Sequence, residues 1–519
     1  MPWTAFTQAR SPIPLSLTES SEHETAASPS SAEAEEAPDL PQRLRAALRR
    51  AVRSPCSWLV AIAVAVYGTF GYHQYTQLKT GACDLGIFYQ ATEGWAFHGF
   101  PTDPIKGFPQ IGDHFSPIFM LLAPALWVYN SPLTLVFAQV LLLCSAAVPV
   151  YLVARRAWGR PVASVITAAF LSSMGIQGSV AFPVHEVMFG APLIGWALER
   201  ALSKKWTAAS LIMACGVFVK EDMGAMVVMF GLWALLNRKW RHALALFVWG
   251  AGMFVLTIDV IIPHYNPSGF TYAADYAGNL HANNFNQLIV SLVSHPGTGL
   301  HLLFDDPVKQ QTWLDLLRPV AFMCLASPIA LLGAPMMVTR MLSARNTEWG
   351  DQLYYDMPLM VITFIGAMDG VQRVLRLVRR FLPRLDRAWL PALAGCCLAA
   401  VSLVTTVNMD RHRQIYAWLT TSTFTSRPSW VADVHAALAV VPSGVEVRAT
   451  NNLVVPLAAR DTVTLVGSNV DKGSWAAVDT SNPQCPISAS AIPAYLTQLE
   501  SQGFRVVAQY GPIEILHQA

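Results

Sequence analysis

Long apolar runs alternate with short polar clusters along most of the chain. A helix needs about 20 mostly apolar residues to cross the hydrocarbon core of a bilayer, which is about 30 Å thick. The clearest runs of this kind lie at residues 58–72, 133–153, 162–180, 244–262 and 390–407. Shorter apolar runs at 187–198, 207–219 and 223–236 are predicted to pack inside the bundle, where their polar ends meet other helices rather than lipid. The pattern predicts an all-α polytopic transmembrane bundle with about 11 spans, in a range of roughly 10 to 13.

The pattern changes in the last quarter of the chain. From Trp430 onward, short β-branched runs alternate with helical segments, which indicates a small C-terminal α/β domain. This part contains no Gly-rich phosphate loop, so its simplest role is that of a docking or lid domain without chemistry of its own. The predicted divisions are a tail at 1–54, a multi-span domain at 55–407 with polar loops at 73–115 and 263–317, and the α/β domain at 408–519.

The composition excludes an ordinary soluble enzyme. Hydrophobic residues make up 53% of the 519 residues and charged residues only 13%, whereas soluble domains carry about 25% charged residues. The formal net charge of +2 is too small to favour nucleic acid as a partner. The first 42 residues are rich in Ser, Glu, Ala and Pro, which predicts a disordered tail rather than a cleavable signal peptide.

Basic residues predict the orientation in the membrane. Five arginines between residues 43 and 53 precede the first span and place the N-terminus in the cytoplasm by the positive-inside rule. Later basic clusters fall on the same side if the region 118–153 crosses the membrane an odd number of times. This topology puts both long loops and the C-terminal domain outside the cytoplasm. Cys83 and Cys485 would then face an oxidising compartment, and whether they pair is left open because the sequence gives no distance between them.

Five polar motifs fall on the external face in this topology. Ionisable residues at membrane depth are costly and usually face a cavity or one another, so their clustering indicates a functional site. Each motif also has a structural explanation on its own, such as a helix start at Ser116 and Pro117, a helix-dipole contact at Glu186 or a local ion pair at Lys220. The motifs are Cys83 to Gly86, Gly112 to Pro117, Val184 to Glu186, Val219 to Asp222 and Ile262 to Pro267.

These motifs also carry a resemblance to a known family. The runs DLGIFYQATEGWAFHG, GDHFSPIFMLLAPALWVYNSPLTLVFAQ, HEVMFGAPLIGWAL, VKED and IIPHYNPSG resemble, in order and spacing, the bacterial membrane protein family called domain of unknown function 2079. In arrangement that family is similar to the C-type membrane glycosyltransferases, which take a sugar from a polyprenyl phosphate carrier. The resemblance implies a bacterial plasma membrane location and sugar transfer with inversion. It weakens at residues 270–279, and at 354–356, where it implies a histidine that is absent.

The resemblance implies that an acidic residue in the first external loop serves as catalytic base or metal ligand, and Asp84 occupies that position. A carboxylate at a half-dry interface suits the removal of a proton from an acceptor hydroxyl, and Asp113 is the second choice. Charge on the leaving phosphate requires cationic or hydrogen-bonding groups. The candidates for substrate and phosphate binding are His114, Lys220, His264 and Tyr265. The candidates for orienting these groups, or for holding a divalent cation such as Mg or Mn, are His185, Glu186, Glu221 and Asp222.

The leading hypothesis is therefore a glycosyltransferase whose partners are membrane lipid, a polyprenyl-phosphate sugar and a glycan, lipid or protein acceptor. A transporter or lipid flippase would use the same charged residues to bind substrate or relay protons. A non-catalytic envelope assembly protein is a further alternative. Transporters tend to show internal repeats and charges near mid-membrane, whereas here we find no repeat and the charges cluster at span ends. This pattern favours the enzyme.

Overall fold

The fold is known from a computed structural model of the chain. It describes residues 52–280, 285–351, 353–383, 387–409, 415–481 and 486–518. Nearly all of the predicted tail lies outside the described residues. Cys485, whose pairing with Cys83 was left open, also lies outside them.

The greater part of the described chain is helical. In this described part, five helical stretches are long and apolar enough to cross a membrane by length and composition: Pro55–Thr76, Pro132–Ala181, Trp240–Tyr265, Asp356–Phe381 and Leu390–Asn408. Within the second stretch the chain forms three helices, Pro132–Ser145, Ala147–Leu171 and Met174–Ala181. Shorter apolar helical stretches lie at Pro117–Val128, Trp206–Phe218, Met223–Leu236 and Pro328–Leu342. The predicted helical bundle is thus confirmed, while the number of about 11 spans stays a prediction.

The short helices near the middle of the chain pack as predicted. Helix Val187–Leu202 buries most of its length, including Met188, Ile194 and Leu198. Helix Met223–Leu236 buries Phe230 and Trp233. Since these side chains are removed from lipid, helices below the usual spanning length are accommodated inside the bundle.

The two predicted loops contain regular structure. The first includes a π-helical turn, Ala82–Gly86, and helix Ile87–Phe97. Asp306 caps one helix of the second loop, because its side chain accepts a hydrogen bond from the Val308 N–H (2.7 Å) and Pro307 follows at the first helical position. The short helix Ile262–Tyr265 ends the stretch that begins at Trp240 and reaches into the second loop. The further helices of this loop are Tyr272–Ala277, Phe285–Ser294, Pro296–Leu302 and Pro307–Leu317. The helix start predicted at Ser116 is a 3-10 helix, Pro117–Leu122, without a capping hydrogen bond from the Ser116 hydroxyl.

The C-terminal part forms the predicted α/β domain. Its strands are β1 (Glu446–Ala449), β2 (Thr462–Leu465), β3 (Trp475–Asp479), β4 (Phe504–Tyr510) and β5 (Ile513–Gln518). They form one sheet in the order β2-β1-β3-β5-β4. Strand β1 pairs in parallel with β2 and β3, whereas β5 pairs antiparallel with β3 and β4. The helices are Ile415–Leu419, Ser422–Thr425, Ser429–Leu438, Asn451–Ala458 and Ile492–Ser501.

The sheet lies between two apolar layers. On one face Val478 and Phe504 pack with Leu499 of helix Ile492–Ser501 in a small separate core. On the other face Val447 and Ile515 belong to the core that continues into the helical bundle. Because alternate residues of a strand point to opposite faces, both layers follow from the same short strands. The domain is therefore packed onto the bundle through a continuous apolar core.

Candidate functional site

The turn that carries Asp84 has an unusual backbone. Asp84 has φ +72° and ψ −76°, a conformation that costs a residue with a side chain on the order of 1–3 kcal/mol. The C-terminal domain holds this turn in place. The side-chain oxygen of Asn451 accepts a hydrogen bond from the Cys83 N–H (3.1 Å). A Cβ at Gly81 would lie 2.3 Å from Asn451 Nδ2, so only glycine allows this close approach.

Asp84 is half-buried. Its carboxylate has no hydrogen bond or ion pair with any residue that the structure describes. Burial raises its pKa to about 7, and the negative charge of Glu186 acts in the same direction. The cations His114, Lys220 and Lys106 oppose this shift. A carboxyl group with a pKa near neutrality exchanges protons readily at physiological pH, which is the property of a general base.

Glu186 lies in a fully buried ion-pair cluster beside this turn. Its Oε1 is 2.9 Å from Lys220 Nζ and its Oε2 is 2.7 Å from His185 Nδ1. Although burial opposes ionisation, His185 and Lys220 hold the pKa of Glu186 well below its usual range. Burial lowers the pKa of His185, against the attraction of the Glu186 carboxylate, whose Oε2 lies next to the ring Nδ1. The surroundings of Glu186 therefore favour its ionised form.

Packing and backbone hydrogen bonds fix the His185 ring. Tyr354 stacks on it with ring centroids 3.3 Å apart, and Phe88 meets it edge-on. The His185 N–H donates to the side-chain oxygen of Gln139 (3.0 Å). The preceding residue, Val184, has φ +65°, which is rare for a β-branched residue. Strained backbone thus occurs on both sides of the Asp84–Glu186 pair, as is common at functional sites.

A second cluster forms around His114. Its Nδ1 is 2.8 Å from Glu221 Oε1, and Glu221 Oε2 accepts the Phe115 N–H (3.1 Å). Burial and Lys220 lower the pKa of His114, but Glu221 and Asp113 outweigh them and raise it. The Tyr272 ring stacks on the imidazole with centroids 4.5 Å apart. His114 is therefore held in a geometry and an electrostatic environment that favour its charged form.

Asp113, the second candidate for the base, already has two partners. Lys106 Nζ lies 2.9 Å from its Oδ2, and the Tyr272 hydroxyl donates to its Oδ1 (2.9 Å). Burial opposes ionisation, but His114 and Lys106 lower the pKa of Asp113 below its usual value. Asp113 is thus a stable anion, which suits it less well to accepting a proton than Asp84. Asp222 is half-buried, and burial raises its pKa to about 6.

The structure does not bring every candidate to this site. His264 is exposed, and within the described residues its recorded contact is an edge-on one with the Tyr265 ring. Tyr265 is half-buried and packs beside Gly112, where a Cβ would lie 2.9 Å from the Tyr265 Cβ. The motif that contains them therefore supports the backbone next to Asp113, whereas the His264 ring lies apart from both ion-pair clusters.

Several residues at the site escaped the sequence analysis. Lys106 is one of two lysines in the segment 73–115 and pairs with the predicted Asp113, so its charge in a polar loop was a usable signal. Tyr272 and Tyr354 lie in the stretches where the family resemblance weakens, yet each stacks on a predicted histidine. Nothing in the sequence marks Asn451, which meets Cys83 across 368 positions of the chain.

Two of the carboxylates predicted as possible metal ligands, Glu186 and Glu221, face other groups of the protein. No group of three or more His, Cys, Asp or Glu side chains with a metal-binding arrangement occurs among the described residues. Glu186 faces Lys220 and His185, and both oxygens of Glu221 accept N–H donors. These oxygens of Glu186 and Glu221 are already occupied by protein groups, and we derive no step through a metal.

Comparison with known proteins identifies the family. The sequence profile described as "Predicted membrane protein (DUF2079)" matches residues 74–509. The chain belongs to this family. No curated protein matches the chain.

Solved structures show which fold this DUF2079 protein shares. ArnT from Cupriavidus metallidurans bound to undecaprenyl phosphate is similar with a TM-score of 0.53 and 12% identity, over 89% of this chain and 97% of that one. The same ArnT in the apo state gives 0.50 and 13% over the same shares. An Archaeoglobus fulgidus oligosaccharyltransferase in complex with Zn and sulfate gives 0.41 and 12%, over 86% and 71%. The likeness to ArnT confirms the predicted C-type glycosyltransferase-like fold. The family description and the apolar helices support the predicted membrane location.

Proposed function

We propose that this protein is a membrane glycosyltransferase that moves a sugar from a polyprenyl-phosphate carrier to an acceptor hydroxyl, with Asp84 as the base. The observation that carries the proposal is the Asp84 carboxylate, which has no partner among the described residues, lies on a strained turn and has a pKa near 7. The fold similarity to ArnT supports the reaction class. The lipid carrier is suggested by the undecaprenyl phosphate bound to that neighbour.

In the proposed step, Asp84 removes the proton from the acceptor hydroxyl as its oxygen attacks the anomeric carbon of the donor sugar. The bond between that carbon and the phosphate oxygen breaks, and its electron pair stays with the polyprenyl phosphate. Attack from the face opposite the leaving group inverts the anomeric configuration. We place the reaction at the external membrane face, with the N-terminus in the cytoplasm.

Among the nearby cations, His114 and Lys106 are best placed to stabilise the leaving phosphate. Their side chains are 12% and 28% exposed, whereas Lys220 is 7% exposed and is paired with the fully buried Glu186. A cation in a largely dry site stabilises developing negative charge more strongly than one in water. We assign Lys220 and His185 to holding Glu186, and Glu221 to orienting His114.

The test uses the purified protein in lipid nanodiscs with a panel of polyprenyl-phosphate sugars. We measure the release of polyprenyl phosphate for the wild type, Asp84→Asn and Asp433→Asn. Asp433 is exposed on helix Ser429–Leu438 and serves as the matched control. Removing a general base typically costs 10²–10⁴-fold in rate, so we expect a loss of about 10³-fold for Asp84→Asn and none for Asp433→Asn.

Two results would contradict the proposal. One is the absence of release from every donor in the panel, and the other is a folded Asp84→Asn variant as active as the wild type. If labelled lipid crosses the bilayer of sealed liposomes that contain the protein while no sugar is released, the protein is a transporter and the enzyme assignment is wrong.

A further inference from the structure

A cleft lies where the first predicted loop meets the C-terminal domain. It encloses about 540 Å³ between the segment 102–109 and the domain residues 462 and 469–472. Gly107 has φ +79°, and a Cβ there would lie 2.1 Å from the side chain of Val470. The loop can approach the domain this closely only because residue 107 is glycine. The cleft is therefore a preformed feature of the packed chain.

The walls of the cleft combine flat apolar surfaces with hydrogen-bonding groups of both kinds. Phe108 and Pro109 present rings, while Asn469 and Thr462 present an amide and a hydroxyl. Charges of both signs also line it, from Asp103, Asp471 and Lys472. With two carboxylates and one ammonium group, the cleft is poorly suited to a phosphate. Apolar faces with a few well-placed polar groups instead suit a neutral, polyhydroxylated ligand.

Asp103 has unused hydrogen-bonding capacity at this position. The side chain is 3% exposed, and its Oδ1 accepts the N–H groups of Ile105 (3.1 Å) and Lys106 (3.3 Å). Its Oδ2 is buried and has no hydrogen-bond partner among the described residues. Buried polar groups in native structures usually have a partner, so an exception calls for an explanation. A sugar hydroxyl both donates and accepts, and it can complement this group in either protonation state.

A single turn of the chain, which contains Lys106, lies between the cleft and the proposed catalytic site. Lys106, whose N–H binds Asp103, uses its Nζ to pair with Asp113 (2.9 Å) beside His114. Lys106 also lies close enough to Asp84 to lower its pKa. A ligand in the cleft is thus separated from the candidate base by the residues of this turn.

From these observations we infer that the cleft binds the acceptor, and that the acceptor is a neutral glycan. The inference rests on the proposed function, since it assigns the second substrate of that reaction. It gives the C-terminal domain a direct part in substrate recognition, because one wall of the cleft belongs to this domain.

The test measures binding of four neutral trisaccharides to the full chain in nanodiscs without any donor. The probes are maltotriose, cellotriose, mannotriose and triacetylchitotriose, with glucose 1-phosphate as an anionic comparator. We expect at least one trisaccharide to bind more tightly than glucose 1-phosphate. Its affinity should fall by about tenfold in Asn469→Ala and in Phe108→Ala, as expected from the loss of a few contacts. Asn408→Ala and Phe381→Ala, at exposed positions outside the cleft, are the matched controls and should bind like the wild type.

The inference is overturned if none of the four trisaccharides binds, if the cleft variants bind as tightly as the controls, or if glucose 1-phosphate binds best. Asn469 is exposed, so Asn469→Ala keeps the test valid even if Phe108→Ala fails to fold. Binding is measured without donor and transfer is measured with it. A failure of this inference is therefore distinguishable from a failure of the proposed reaction.

Discussion

Asp84 and Glu186 influence each other's pKa and have neighbouring cations in common, but the two carboxylates differ in burial and in their partners. Glu186 is fully buried, faces Lys220 and His185, and stays ionised. Asp84 is half-buried on a strained turn, has no partner among the described residues and has a pKa near 7. The comparison indicates that the Glu186 carboxylate, paired within the protein, keeps its negative charge and acts on its neighbours. The Asp84 carboxylate, without such a partner, can gain or lose a proton during a reaction.

The largest loss of stability is expected when the ion pair between Lys220 and Glu186 is broken. In Lys220→Met, Glu186 loses its cation while it remains fully buried. We expect a loss of about 3–5 kcal/mol, the range for removing one partner of a buried pair. Thermal unfolding in detergent measures this loss. The double variant Lys220→Met/Glu186→Gln should recover at least half of it, and a single variant as stable as the wild type would show that Glu186 does not depend on Lys220.

Removal of the hydrogen bond that holds the Asp84 turn should lower the transfer rate and change the stability of the protein little. Asn451→Ala removes the acceptor for the Cys83 N–H but leaves the apolar contacts of helix Asn451–Ala458. We expect about a tenfold loss of transfer rate, since small misplacements of a reacting group are costly, and a stability loss of about 1 kcal/mol. Asn451→Asp retains an acceptor oxygen and should restore most of the rate. Equal losses in both variants would contradict a positioning role for this hydrogen bond.

A smaller loss of transfer rate is expected when Asp113 loses one of its two partners. Tyr272→Phe removes the hydroxyl that donates to Asp113 but leaves Lys106 and the ring stack on His114. We expect a two- to fivefold loss of transfer rate, in keeping with the loss of one hydrogen bond to a charged group whose other partner remains. Tyr510→Phe, on strand β4, is the matched control. A loss as large as that of Asp84→Asn would assign Tyr272 a direct part in the chemistry.

The sequence predicted the fold well because hydrophobic periodicity determines it. The alternation of strands and helices in the C-terminal domain was predicted, since β-branched runs such as Val463 to Val466 fit a buried sheet. The short helices between residues 187 and 236 were also predicted, from apolar runs of limited length. Regular structure in the two loops was missed, because its helices are short and several begin at proline rather than with an apolar repeat.

The candidate site was predicted only in part. Asp84, Asp113, His114, Glu186 and Lys220 follow from the rule that charges at membrane depth gather in functional regions. The way in which these residues pair does not follow from this rule. The choice between Glu186 and Glu221 as the partner of Lys220 depends on how distant helices pack. Asn451 has no signature in the sequence, since a single side-chain hydrogen bond between distant segments leaves no local pattern.

The pH dependence of the single-turnover transfer rate tests most directly whether Asp84 is the base. A base acts when deprotonated, and burial together with Glu186 raises the pKa of Asp84 to about 7. We therefore predict a rate that rises with pH through the pKa of Asp84, is half-maximal near pH 7 and is lower by about tenfold for each pH unit below about 6. A rate that is constant from pH 5 to 8, or that falls only near pH 4, would contradict the account.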